Sequence, residues 1–257
     1  MTSARVPRWV VVLSAVWRRW PILRNRGCLG RRLARRRLAA IGGDLDIGAN
    51  YGAVGLLCRD AVLPSGRTHL FEPQPDLCRR MRACVAEHGL DDVVVHEVAL
   101  LDREATLELS RPASHSGSAS VVRRRGADDL TMRVRAVAPA TYLPPLVGDR
   151  PWGAKLDVEG AEPLLLPRLV ALPRLRFIVL ETRYLRDPGQ AWETLRGAGL
   201  AVFGLRKTYF AVRLARLQSA SDLPRHHDAV AVRPGSEGVI PGRVGLNALR
   251  ALSAAGA

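Results

Sequence analysis

The sequence predicts one α/β domain built on a mostly parallel sheet, and three observations lead there. A short apolar run, Leu45 to Ile47, enters a turn carrying Gly48 and Gly52; a second run, Thr68 to Phe71, follows the turn Pro64-Ser65-Gly66; and apolar runs then alternate with helically spaced segments as far as Arg233. At 257 residues and 47% hydrophobic content the chain can bury the core of one such domain.

Taken in order, Gly52 to Leu63 is expected as the first helix, and Val93 to Leu100 as the third strand after Leu45–Ile47 and Thr68–Phe71. The first strand is read as cut short by Gly42 and Gly43. Thr106 to Leu109 and Met132 to Ala136 alternate as strands of a local addition, separated by a polar loop from Arg111 to Asp129. Trp152 to Glu162 is a fourth strand running into a helix over Ala161 to Leu172. Arg176 to Thr182, Ala201 to Leu205 and Asp228 to Arg233 complete a seven-stranded, mostly parallel sheet, with a helix over Gln190 to Ala198. Three segments follow: an arm over residues 1–43, a catalytic domain over 44–234 and a loosely attached tail over 235–257.

The loop Asp46-Ile47-Gly48-Ala49-Asn50-Tyr51-Gly52 carries the chemistry. Its glycines let the backbone approach a ligand, and Glu72, at the carboxyl end of the next strand, is placed to accept hydrogen bonds from ribose hydroxyls. A dinucleotide loop needs G-x-G-x-x-G so that bare amides meet a pyrophosphate; here Asn50 and Ala53 stand at the second and third glycine positions. Asp46 would repel a pyrophosphate but suits the ammonium group of S-adenosylmethionine. A nicotinamide-dependent oxidoreductase is therefore the weaker alternative.

Together with Phe71-Glu72-Pro73, Val98-Ala99-Leu100, Ser116-Gly117-Ser118-Ala119-Ser120 and Lys155-Leu156-Asp157-Val158-Glu159-Gly160-Ala161-Glu162, this loop resembles the FkbM family of methyltransferases over about Asp44 to Arg183. The resemblance implies a class I, Rossmann-like methyltransferase fold with helices on both faces and an antiparallel last strand. It also implies S-adenosylmethionine as cofactor and a hydroxyl acceptor on a small metabolite, natural product or sugar. It sets Asp46, Gly48, Ala49, Asn50 and Gly52 around the methionine part, Glu72 on the ribose and Ala99 near the adenine. Glu97 departs from the small polar residue that many relatives carry there.

Lys155, Asp157 and Glu159 alternate to one side at the end of the fourth strand, where α/β sheets bind ligands. Asp157 or Glu159 is the candidate general base, and Lys155 can hold a carboxylate or an acidic acceptor group. The same carboxylates can instead cap the following helix. Ser118, Ser120 and Glu181 are weaker candidates. His115, His226 and His227 form no metal constellation in sequence, so no metal is expected.

Cys28, Cys58, Cys78 and Cys84 form no C-x-x-C pair, which points to a reduced, cytoplasmic compartment. Residues 1–43 hold eleven arginines and no acid, contributing +11 of the formal +15. The rest of the chain is nearly balanced and lacks the extended basic face of a nucleic-acid-binding protein. Within the arm, Trp9, Val12, Leu13, Val16, Trp17 and Trp20 form one helical stripe that Pro21 would end. The uncharged part would be only ~13 Å long against a hydrocarbon core of ~30 Å, so it cannot span a bilayer. Packing on the catalytic domain, peripheral contact of residues 1–40 with an anionic membrane, and contact with nucleic acid or an acidic partner are the readings it leaves open.

Overall fold

The computed structural model describes residues 41–59, 62–112, 119–122, 128–182, 185–207, 211–226, 228–234 and 243–245. The arm up to residue 40, most of the tail, and His115, Ser118 and His227 lie outside the described residues.

In chain order the elements are β1 (Ile41–Ile47), α1 (Ala53–Cys58), β2 (Val62–Phe71), α2 (Pro75–Glu87), β3 (Val93–His96), β4 (Ala99–Leu100), β5 (Ala105–Pro112) and β6 (Asp129–Val137). Then come α3 (Pro139–Tyr142), α4 (Pro144–Val147), β7 (Trp152–Leu156), α5 (Glu162–Val170), β8 (Leu175–Glu181), α6 (Pro188–Gly197), β9 (Ala201–Lys207) and β10 (Ala211–Arg216). A 3-10 helix (Ala220–Arg225), β11 (Asp228–Val232) and β12 (Arg243–Gly245) complete the described elements.

The main sheet has the order β12-β10-β9-β11-β8-β7-β1-β2-β3, with β4, β6 and β5 in a separate three-stranded sheet. β3, β2, β1, β7 and β8 pair in parallel. β8, β11, β9, β10 and β12 pair antiparallel. The fold is α/β and Rossmann-like, and the antiparallel last strand expected from the resemblance is β11. The expectation of seven mostly parallel strands is corrected to nine mixed ones among the described residues. β9 runs two residues further than expected, and its antiparallel partner β10 extends the edge, which β12 then extends again. Arg206, Lys207, Arg213 and Arg216 interrupt the apolar alternation there, so periodicity misses the hairpin.

Further boundaries move: the first helix stops at Cys58 and β2 begins at Val62, so the expected turn Pro64-Ser65-Gly66 lies within the strand. β1 includes Gly42 and Gly43, with an irregularity in its pairing to β2 between Ile41 and Gly43, so the glycines bend the strand without ending it. The expected third strand divides: β3 joins the main sheet and β4 pairs with β6 in the small one.

Helices cover both faces because neighbouring strand residues point to opposite sides. Leu70 packs with Ala49, Cys78 and Met81 on the α2 side. Phe71 joins the larger core with Leu143, Val147, Leu165, Leu169 and Leu195 from α3 to α6. Helix α2 starts well: Pro75 fills a position whose amide has no partner to lose, and Asp76 in the first turn complements the dipole. No described helix is long and apolar enough to cross a membrane.

Candidate cofactor and active site

From β1 the chain steps to β2 and β3 on one side, then returns to place β7 and β8 on the other. The order therefore reverses between β1 and β7, which leaves the loops after their carboxyl ends side by side. The contact is close: a Cβ on Gly48, whose φ is +78°, would lie 1.8 Å from the Asp157 carbonyl oxygen. Gly48 is required here by the backbone of the chain itself. Gly52, also at positive φ, caps α1 and faces the Met81 sulfur, where a Cβ would come within 2.9 Å. Asn50 takes the left-handed conformation at φ 53°, and Ala49 is buried in the α2 cluster with its amide donating to Phe71 O at 2.9 Å.

The two acids of the loop region brace it from opposite ends. Asp46, 1% exposed, accepts from the Gly55 amide at 2.8 Å through Oδ2. Its Oδ1 has no hydrogen bond of good geometry but lies 3.1 Å from Lys155 Nζ, so its second contact is ionic. Glu72, 3% exposed, accepts from the Asn50 amide at 2.8 Å through Oε2. Its Oε1 accepts from both the amide and the side chain of Gln74 at 3.0 Å. An ionised carboxylate offers about four lone-pair sites. Three are taken, so one remains on Oε2 for a ribose hydroxyl, where the sequence reading expected a contact with two. Burial pushes the Glu72 carboxyl up to about 7, against the lowering effect of these donors and, more weakly, of Lys155.

Lys155 lies at the centre of the β1–β7 contact. Its ammonium donates to Gly48 O at 2.7 Å and stands 3.4 Å from Asp157 Oδ2 as well as beside Asp46. Burial alone would lower its pKa, but the Asp46 and Asp157 carboxylates outweigh that and hold it above the usual lysine value. With this cation beside it, Asp46 has an internal partner where the sequence reading offered it to the ammonium group of a ligand.

Asp157, Glu159 and Glu181 converge, each presenting a carboxylate oxygen within 4.8 Å of the others. β7 and β8 are parallel neighbours, so the residues following Leu156 and ending β8 meet at one edge. Hard divalent cations take carboxylate clusters of this kind, so the triad is the place among the described residues that can hold one. Sequence spacing misses it because Glu181 comes from a different strand. Glu159 is held at φ 52°, unusual for a residue with a long side chain. Its carbonyl accepts from Ser120 Oγ at 2.8 Å, and the following turn is fixed by Glu162, which accepts from the Val158 and Gly160 amides at 3.0 and 2.9 Å. Burial raises the Glu162 pKa.

The other expected residues are more distant from this chemistry. Ala99 sits in β4 and shares a buried cluster with Leu101, Ala136 and Ala161. Glu97 is exposed and paired with Arg82 at 2.6 Å. Gln74 and Arg111 were missed by sequence reasoning, although Gln74 stands two residues after Glu72 and is 2% exposed. Arg111 Nη1 donates to Gln74 Oε1 at 2.6 Å, so the first residue of the expected mobile loop is in fact anchored at the end of β5.

No protein-family model and no curated protein matches the chain. Among solved structures it is similar to methyltransferase FkbM from Methylobacillus flagellatus, at 12% identity and a TM-score of 0.46, over 77% of this chain and 45% of that one. It is similar to a precorrin-6y C5,15-methyltransferase from Geobacter metallireducens at 16% identity and a TM-score of 0.41, over 77% of this chain and 82% of that one. Fibrillarin from Aeropyrum pernix, solved with natively bound S-adenosyl-L-methionine, is similar at 16% identity and a TM-score of 0.40, over 74% of this chain and 66% of that one. At these identities and scores the likeness carries no functional argument, and the strand order and site chemistry of this chain must do so.

Proposed function

We propose that the chain is an S-adenosylmethionine-dependent methyltransferase acting on a hydroxyl oxygen of a small metabolite, a natural-product intermediate or a sugar. The observation that supports this reading is convergence. Loop 48–52, Glu72 and the acids Asp157, Glu159 and Glu181 all lie at the carboxyl ends of β1, β2, β7 and β8, around the point where strand order reverses. Open α/β sheets bind ligands there. The residues fit the nucleoside end of the cofactor, since Glu72 Oε2 retains an acceptor site beside the loop. They fit a dinucleotide less well, because the Asn50 amide that would face a pyrophosphate is turned onto Glu72.

Bound S-adenosylmethionine supplies a methyl group activated on a sulfonium. The chain's task is then to align the acceptor and take its proton, and alignment alone can remove ~7 to 11 kcal/mol of barrier. Gly48, Ala49, Asn50 and Gly52 form the backbone wall for the methionine part, with Asp46 shaping that wall from behind. Ala99 is assigned to the adenine side. Asp157 or Glu159 takes the acceptor proton, and Lys155 holds the Asp157 carboxylate in register with Gly48.

Calorimetry with S-adenosylhomocysteine, NAD and a short oligonucleotide tests the cofactor. Only the first should bind at physiological salt, and a preference for NAD would replace this reading with a nicotinamide oxidoreductase. Incubation with labelled cofactor and an extract of the source cells should then label one small product. For the arm we propose peripheral contact with anionic membrane from a cytoplasmic protein. Deleting residues 1–40 should release the protein from anionic vesicles in flotation, and equal flotation of both forms would remove that proposal.

A further inference from the structure

We infer that Arg111, carried by the small added sheet, is a positioning residue that fixes the Gln74 amide in the one orientation able to donate to the Glu72 carboxylate. Its functional consequence rests on the reading of Glu72 as the ribose contact; the positioning itself does not.

The contacts form a chain. Arg111 Nη1 donates to Gln74 Oε1 at 2.6 Å, and Gln74 Nε2 donates to Glu72 Oε1 at 3.0 Å. A guanidinium can only donate, so Gln74 must turn its oxygen toward Arg111, which leaves its amide nitrogen for the carboxylate. Were the amide flipped, its oxygen would face the Glu72 carboxylate and its nitrogen the guanidinium. Both contacts would be repulsive in a buried place. Arg111 thus favours the same Gln74 orientation that the Glu72 carboxylate requires.

Arg111 is itself anchored for this task. Its Nη1 and Nη2 each lie 3.3 Å from Asp76 Oδ2, in the first turn of α2. Its Nε is buried without a hydrogen-bond partner, a cost accepted where the two Nη contacts set the pose. The neighbouring residue reaches the other end of the site. Ser110 exchanges backbone hydrogen bonds with Ser120, at 3.1 and 2.9 Å, and Ser120 Oγ holds the carbonyl of Glu159. Two consecutive residues of β5 thus tie the added sheet both to the Glu72 end and to the acid triad.

Loss of the Gln74 donor should leave burial less opposed, so that Glu72 binds its proton more tightly and accepts a ribose hydroxyl less well at neutral pH. The test uses the full chain with carboxyl-labelled glutamate, following Glu72 by NMR titration without ligand, with Glu72→Gln to assign the signal. In Arg111→Met the midpoint should rise by about one pH unit, and S-adenosylhomocysteine should bind about five- to tenfold more weakly at neutral pH. Arg111→Lys, which keeps a donor-only cation, should stay near the wild-type midpoint, and so should Asp76→Asn. An unchanged midpoint in folded Arg111→Met overturns the proposal, as does weaker binding without a midpoint shift. In the wild type itself, one Gln74 side-chain amide proton should move with the Glu72 titration. A Gln74 amide indifferent to pH between about 5 and 9 overturns the proposal whether or not the variants fold. If the wild type binds no S-adenosylhomocysteine, the ribose reading falls, while the titrations still decide the role of Arg111.

Discussion

The two sides of the site solve the same problem, a buried acid at the end of a parallel strand, in opposite ways. On the β1–β7 side Asp46 and Asp157 share the Lys155 ammonium, and the region is held by ion pairs. On the β2–β3 side Glu72 meets only neutral donors directly, and beneath it lie two neutral histidines. His69 Nδ1 and His96 Nε2 are 3.0 Å apart, His96 Nδ1 is 3.2 Å from the Tyr142 hydroxyl, and Phe71 stacks on the His96 ring at 4.6 Å. The ionic side should be intolerant of losing its cation. The neutral side should be responsive to pH.

Removing the cation gives the largest effect. Lys155→Met leaves two buried carboxylates facing each other and removes the hydrogen bond to Gly48 O, so it should cost about 3–5 kcal/mol. Urea unfolding measures this. A loss below about 1 kcal/mol would mean that the β1–β7 contact is not ionic in character.

Acid tests the other side. Burial draws His69 and His96 down to about 4, from the ordinary 6.5, with the charge of His96 adding to the effect on His69 and that of Arg82 to the effect on His96. The unfolded chain therefore takes up protons first, and the stability these histidines contribute is complete above pH 6.5 and lost as pH falls toward 4. Glu72 has the opposite sign. Its carboxyl, raised from 4.5 to about 7, makes the folded chain take up a proton first, so stability is regained as pH falls from 7 to 4.5. Each group contributes roughly 3 kcal/mol, two against one. Glu72→Gln removes the opposing contribution and should lose stability about twice as steeply between pH 7 and 4 as the wild type. Parallel stability curves for the two proteins would refute this.

Cofactor binding should follow the same carboxyl with a smaller effect. Glu72 accepts best when ionised, so S-adenosylhomocysteine affinity should rise about tenfold from pH 6 to pH 8. A flat profile would remove Glu72 from the contact. The smallest effect belongs to the rim. Arg82 and Glu97 pair at 2.6 Å but are 47% and 37% exposed, so Glu97→Gln should change stability by less than about 0.5 kcal/mol. A larger change would show that this exposed pair contributes more than its exposure to solvent allows.

Much of the architecture was legible because it depends on local pattern. The apolar runs ending at Ile47 and Phe71 become parallel neighbours, with Asp46 opposite Leu70 and Ile47 opposite Phe71, and Asp228–Arg233 becomes the antiparallel β11 between β8 and β9. The edge was less legible. The pairing of β10 with β9 is a local hairpin masked in sequence by basic residues, and the split between β3 and β4 follows a change of sheet that no periodicity records.

By itself the sequence determined which residue types stand at the strand ends: glycines after Ile47, an acid after Phe71, a lysine and two acids around Leu156. Periodicity and turn chemistry act over a few residues, and that range suffices to place them there. Only the tertiary structure decided how these groups are used. It gives Asp46 to Lys155, sets Glu181 beside Asp157, turns Gly48 against the Asp157 backbone and brings Arg111 to Gln74. Each of those contacts joins residues far apart in the chain, and its energy depends on burial and on which partner arrives, quantities that exist only once the sheet has closed.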